Sequence, residues 1–155
     1  MSFSPKIRTA RASDAQRICE LVNYYAERGL MLHRSLESVY EHLRDFIVAQ
    51  DETGGVVGCV AVSVFWSDLA EVRSIAIDPE RTRSGIGTGL VKAAIASAAE
   101  LGITRIFTLT YEEDFFARQG FEAIDRQELP EKVWRVCISC PKADACDEIA
   151  MMLKL

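Results

Sequence analysis

The chain has 155 residues, of which 49% are apolar and 26% charged, with a net charge of −5. That length predicts one domain, residues 1–155, with a proper core; the balance excludes a disordered chain and argues against a broad nucleic-acid surface, which needs a basic excess. No apolar run approaches the ~18 residues of a membrane span, and the N-terminus lacks the apolar core of a secretory signal, so no membrane partner and a cytoplasmic location are expected.

The segment "KIRTARAS" opens as a short strand. Ser13 and Gln16 read as a capping box, with Ile18, Leu21, Val22 and Tyr25 following at helical spacing until Gly29. "RSLESVYEHL" predicts a second helix capped by Ser35. "DFIVAQ" and "GGVVGCVAVSVFW" read as strands joined by the turn "DETGG", and "LAEVRSIAID" as a third strand ended by Pro79. A helix is predicted over 85–101, with Ile86, Leu90, Ala94, Ala98 and Leu101 on one stripe and Gly102 as its stop. Then come a strand "RIFTLT", a short helix "EEDFFARQG", a strand "FEAID", a helix "LPEKVWRVC" and a last strand "EIAMMLKL". Consecutive strands suit antiparallel hairpins, and the single helix before "RIFTLT" suits a parallel crossover.

The turn "RTRSGIGTG" joins a strand to a helix. Its glycines let the backbone approach a ligand closely, and the amides at the helix start carry partial positive charge. Such a turn holds a pyrophosphate, with Arg81 or Arg83 adding charge. A P-loop is excluded because Leu90 and Val91 follow the last glycine where Lys and Ser/Thr belong. A dinucleotide fingerprint is excluded by the G-x-G-x-G spacing, late in the chain. An acyl-CoA site and a tight turn without ligand both remain open.

"AIDPERTRSGIGTGLV" resembles the acetyl-CoA loop of the GNAT N-acetyltransferases, with Gly85 and Gly87 at the two small positions and Thr82 where the family carries Gln or Arg. The order of elements is similar over nearly the whole chain. "GLMLHRSLESVYEHL", "LAEVRSIAIDP", "FFARQGFEAID" and the C-terminal segment from "LPEKVWRVC" to "EIAMMLKL" resemble the short bacterial branch of N-acetylglutamate synthases. The resemblance implies an α/β GNAT fold: a mixed, mostly antiparallel central sheet flanked by helices. It implies acetylation of the α-amine of L-glutamate, the first step of arginine biosynthesis, without the amino-acid-kinase domain of the long branch. A homodimer is a further expectation. Acetyl-CoA, the expected cosubstrate, would lie along Ile75, Ala76 and Ile77, over the loop formed by Thr82, Arg83, Ser84, Gly85, Ile86, Gly87 and Thr88, and against Phe116.

Acetyl transfer to an amine needs a base for the ammonium, a donor for the oxyanion and a proton for the departing thiolate. Strand alternation puts Glu71, Arg73, Ile75 and Ile77 on one face, and Val72, Ser74 and Ala76 on the other. Glu71 matches the strand glutamate that GNATs use as general base, and burial would raise its pKa toward that task; the alternative is an ion pair with Arg73. The oxyanion donor is expected to be a backbone N–H near Ile75. Phe115 and Phe116 stand where many GNATs have a tyrosine, so Tyr111 is the candidate acid; the alternatives are a plain strand-end residue and thiolate release through water. Arginine suits carboxylates through its planar fork. The resemblance makes Arg34 the substrate clamp, with an exposed helix-start charge as the alternative; Arg73 is a second candidate, with the Glu71 ion pair as its alternative.

Cys137, Cys140 and Cys146 in "CISCPKADAC" leave three readings open: a metal site completed by Asp147 or Cys19, buried thiols, or a disulfide. The acetyl transfer itself needs no metal.

Overall fold

The computed structural model describes residues 5–82, 84–130 and 148–155. Seven strands form one sheet: β1 (Lys6–Thr9), β2 (Phe46–Gln50), β3 (Val56–Trp66), β4 (Leu69–Ile77), β5 (Arg105–Thr110), β6 (Glu122–Ala123) and β7 (Ile149–Lys154). Their spatial order is β1-β2-β3-β4-β5-β7-β6. β4 and β5 pair in parallel; every other neighbouring pair is antiparallel. Helices α1 (Ala15–Ala26) and α2 (Leu36–Glu41) cover one face, and α3 (Ile86–Glu100) and α4 (Glu113–Arg118) the other. This is the expected mixed, mostly antiparallel sheet flanked by helices.

β2 and β3 are apolar on both faces because both faces are covered. Phe46, Val48, Cys59 and Ala61 pack with Ile18, Leu21 and Val22 of α1 and Val39 of α2. Ile47, Ala49, Val60 and Val62 pack with Ile86, Leu90, Val91, Ala94 and Ala98 of α3. Leu101 leaves that stripe: it caps α3 and is 63% exposed. "FEAID" yields only the two paired residues Glu122 and Ala123. The expected helix "LPEKVWRVC" lies almost wholly outside the described residues, as do Cys137, Cys140 and Cys146.

The start of α1 differs from the Ser13–Gln16 capping box. Residues Ala12–Asp14 form a 3-10 turn, and it is the Asp14 carboxylate that is bonded. Asp14 accepts from Arg8 Nη1 and Nη2 at 2.8 and 3.0 Å and from the Arg11 N–H at 2.7 Å. The bonds from Arg8 hold the Asp14 carboxyl below the usual carboxylate range. A partner from β1 thus outcompetes a purely local cap. The Ser35 cap is as expected: its Oγ accepts from the Ser38 N–H at 3.0 Å.

β4 departs from simple alternation. Ala61 pairs with Arg73 and Cys59 with Ala76, so β4 gains one residue on β3 there. The extra residue is a bulge at Ser74, whose φ is +54°. Before it, Val72 faces α3; after it, Ile75 and Ile77 do, while Ala76 packs toward α1. Glu71 and Arg73 share the α1-side face with their partners Ser63 and Ala61. The single face expected for Glu71, Arg73, Ile75 and Ile77 is therefore wrong: the bulge turns the strand over between the charged and apolar pairs.

Close approach of α3 to β3 depends on Gly58. A Cβ there would stand 3.0 Å from Ile86 Cγ2 and Leu90 Cδ1 and 3.1 Å from Ile77 Cδ1. Gly58→Val is expected to destabilise the fold by about 1–3 kcal/mol through overpacking, read as a fall of several degrees in Tm by thermal denaturation.

Candidate active site

β4 and β5 pair only through Leu69–Arg105, Ala70–Ile106 and Glu71–Phe107. Beyond that point Thr108 Oγ1 bonds the Val72 carbonyl at 2.8 Å, and no further ladder pair joins the two strands. A cleft of about 1070 Å³ occupies the region. It is lined from the α1 side by Arg34, Glu71 and Arg73, and from the α3 side by Ile75, Ile77, Gly85–Thr88 and Phe116. The separated strands and the bulge thus let one cavity reach both faces of the sheet.

On the α3 side, the Asp78 carboxylate accepts from the Glu80 N–H at 2.9 Å and opens a 3-10 turn, Pro79–Arg81. Gly85 caps α3 with φ +84°, a conformation that side chains rarely adopt. Gly89 donates the first intrahelical bond, to the Gly85 carbonyl at 3.1 Å. The amides of Ile86, Gly87 and Thr88 precede it and form the helix's electropositive end. A Cβ at Gly87 would touch the Phe115 ring at 3.4 Å, and at Gly85 it would project into open space. This wall fits a pyrophosphate followed by an apolar chain along Ile75, Ile77 and Phe116. Thr82 and Ser84 flank the turn, Arg83 lies outside the described residues, and the Ala76 side chain points away, into the α1-side core. Arg81 lines the cleft but also pairs with Asp51 of the β2–β3 turn at 3.3 Å.

On the α1 side, Glu71 is buried to 9% exposure. Burial pushes its carboxyl up to about 7, with Glu148 adding to the rise and Arg73 and Arg34 opposing it. Arg73 Nη1 stands 3.8 Å from Glu71 Oε1, while Arg73 Nε is buried with no hydrogen-bond partner among the described residues. The Glu71–Arg73 ion pair weighed from the sequence therefore exists, but it is long and does not outweigh desolvation. Arg34 is half-buried over the Phe46 ring, 5.2 Å from its centroid. Its Nη1 and Nη2 donate to Ser74 Oγ and Ser38 Oγ, each at 3.3 Å. Among the described residues no carboxylate lies within ion-pair distance of it. Burial and the Arg73 charge both lower its pKa. Tyr111 lines the cleft just beyond β5. Ser38 and Ser74 were missed from the sequence: a bulge serine carries no glycine or proline to announce it.

A family model for the acetyltransferase (GNAT) domain matches residues 42–123. The chain belongs to the GNAT acetyltransferase family. An uncharacterized N-acetyltransferase of Chlorobaculum tepidum is 45% identical over 149 residues, 96% of each chain. The amino-acid acetyltransferase of Mycobacterium tuberculosis is 42% identical over 132 residues, 84% of this chain and 75% of that protein. Among solved structures, N-acetylglutamate synthase from Neisseria gonorrhoeae, complexed with coenzyme A and N-acetyl-glutamate, superposes with a TM-score of 0.89 at 28% identity. That likeness covers 98% of this chain and 35% of the Neisseria chain. This GNAT is an N-acetyltransferase that uses acetyl-CoA as its cosubstrate. Among its described residues no helix is long and apolar enough to cross a membrane.

The raised pKa of Glu71 has a stability consequence. The folded chain holds this proton more tightly than the unfolded one, so the stabilisation is present below about 4.5 and lost as pH rises through about 7. Glu71→Gln removes that loss. Its stability relative to the parent is expected to rise between about pH 4.5 and pH 8 by on the order of 3 kcal/mol, read as a rise of several degrees in relative Tm by thermal melts across that range.

Proposed function

We propose that this GNAT acetylates the α-amine of L-glutamate, the entry step of arginine biosynthesis. The observation that carries the reading is the pair Arg34 and Arg73 on the wall that also holds Glu71. Among the described residues the Arg34 guanidinium hydrogen-bonds to serine hydroxyls, and Arg73 keeps a buried N–H without an acceptor. Two incompletely neutralised guanidiniums favour an acceptor with two carboxylates. A monocarboxylic amino acid would leave one guanidinium of the pair without a carboxylate from the acceptor, Arg73 keeping only its long contact with Glu71 at 3.8 Å. The names of the Mycobacterium and Neisseria relatives support the same reading.

Acetyl-CoA, when bound, supplies the activated acetyl group. The chain's residues do the rest. The amides of Ile86, Gly87 and Thr88 hold the pyrophosphate, with Thr82 and Ser84 beside them. Ile75, Ile77 and Phe116 form the apolar wall that leads to the reacting end. Arg34 and Arg73 hold the two carboxylates and so fix the ammonium near Glu71. Glu71 takes the ammonium proton; a carboxyl near 7 can do so at neutral pH, where an ordinary one is too weak a base. A backbone N–H near Ile75 meets the oxyanion, and Tyr111 returns a proton to the leaving thiolate.

A thiol-release assay over a panel of amino acids tests the acceptor. Glutamate is expected to drive CoA release well above glutamine, aspartate and alanine; no preference for glutamate overturns the reading. Arg34→Ala is expected to raise the KM for glutamate by about tenfold or more while leaving that for acetyl-CoA near its parent value. With Glu71 as base, kcat/KM is expected to fall about tenfold per unit below pH 7, and Glu71→Gln to lose on the order of 10²–10⁴ in kcat. A Tyr111→Phe enzyme with parental turnover at every pH removes Tyr111 from the mechanism.

A further inference from the structure

We propose that Asn23 is a positioning residue for the acceptor: it sets the backbone of Arg34 and, through it, the direction of the guanidinium. The proposal rests on the reading of Arg34 as the carboxylate clamp.

Arg34 lies between α1 and α2, where no helix or ladder bonds hold the chain. Its peptide groups are held from α1. Asn23 Oδ1 accepts from the Arg34 N–H at 2.9 Å, and Asn23 Nδ2 donates to the Arg34 carbonyl at 2.8 Å. One planar amide thus bonds the donor and the acceptor of a single residue, as a neighbouring strand does in a close antiparallel pair. Cys19, one helical turn earlier, completes the arrangement. Its Sγ donates to the same carbonyl at 3.4 Å and accepts from Asn23 Nδ2 at 3.3 Å.

Acidic and smaller side chains do not reproduce this pair of bonds. Aspartate could accept from the Arg34 N–H but would set a second anionic oxygen against the Arg34 carbonyl. Serine lacks the span to reach both groups. Alanine leaves both to water. The two bonds restrain φ and ψ at Arg34 and hence the Cα–Cβ direction. The far end of the side chain is then guided by Ser38, Ser74 and Phe46.

Asn23 does not itself line the reaction cleft. It lines a separate hollow of about 550 Å³ behind the loop, with Cys19, Glu20, Tyr24, Glu27 and Leu36. The direct link from Asn23 to the cleft is its pair of bonds to Arg34. A role of this kind is invisible to sequence patterning, because Asn23 sits in the last turns of a helix, where a polar residue needs no explanation.

The test is a double-mutant cycle on the full chain with Asn23→Ala and Arg34→Lys, reading steady-state KM for L-glutamate, KM for acetyl-CoA, kcat and Tm. Asn23→Ala is expected to raise the glutamate KM by about tenfold, the scale of losing one or two net hydrogen bonds, with the acetyl-CoA KM changed less than twofold. In the Arg34→Lys background the same change is expected to have little further effect. Asn23→Asp is expected to behave like Asn23→Ala, although it keeps size and shape. The proposal is overturned by an unchanged glutamate KM in Asn23→Ala, by effects that multiply in the double variant, or by equal losses in both KM values accompanied by a collapse in Tm. If Arg34→Lys itself leaves the glutamate KM unchanged, the clamp reading fails first, and a rise with Asn23→Ala alone would then have to come from elsewhere.

Discussion

One inserted residue organises the site. Ser74 takes a positive φ in the middle of β4, and the strand turns over at that point. A serine in this conformation costs on the order of 1 kcal/mol relative to an extended one. The neighbourhood compensates: the Ser74 carbonyl accepts from Cys59 Sγ at 3.5 Å and its hydroxyl meets Arg34. Without the bulge, charged and apolar residues would share a face, as alternation demands. With it, Glu71 and Arg73 face α1 while Ile75 and Ile77 face α3, and the parting of β4 from β5 joins the two sides.

The electrostatics follow from that division. The α3 side offers helix amides and apolar walls, a surface suited to an anion with a long apolar arm. The α1 side gathers full charges in a poorly hydrated wall. There, desolvation outweighs the pull of two arginines on Glu71, so its carboxyl titrates near 7. The same burial that would suit Glu71 to the proposed role of base makes it a liability for the fold, a conflict common at functional sites.

Much of this architecture was legible in the sequence because its signals are local. Apolar periodicity, the Ser35 cap, the turn before Gly55 and the strand–glycine turn–helix unit each depend on a few neighbouring residues. The Gly85 and Gly87 spacing pointed to the anion wall for the same reason. What escaped was long-range. Asp14 supplants Ser13 because Arg8, on another element, reaches it. Leu101 keeps the helical period but falls at the cap, beyond the sheet that would have covered it. Gly58 looks like an ordinary strand glycine until α3 is laid across it. Glu71 and Arg73 were found by type and place, but their relation to Ile75 was misread because a bulge at serine leaves no mark in a pattern of twos.

The hydroxyl of Tyr25 donates to the carbonyl of Ile77 at 2.5 Å, from α1 to the far end of β4. That bond crosses from the α1 side of the sheet to the strand whose Ile75 and Ile77 line the cleft. A rotation of the end of α1 would tug the Ile77 peptide and the loop bearing Arg34 together. Were seating of one ligand to shift that bond, linkage would make its effect on the other equal in both directions. The Tyr25 phenol thus ties the α1 side of the cleft to the end of β4.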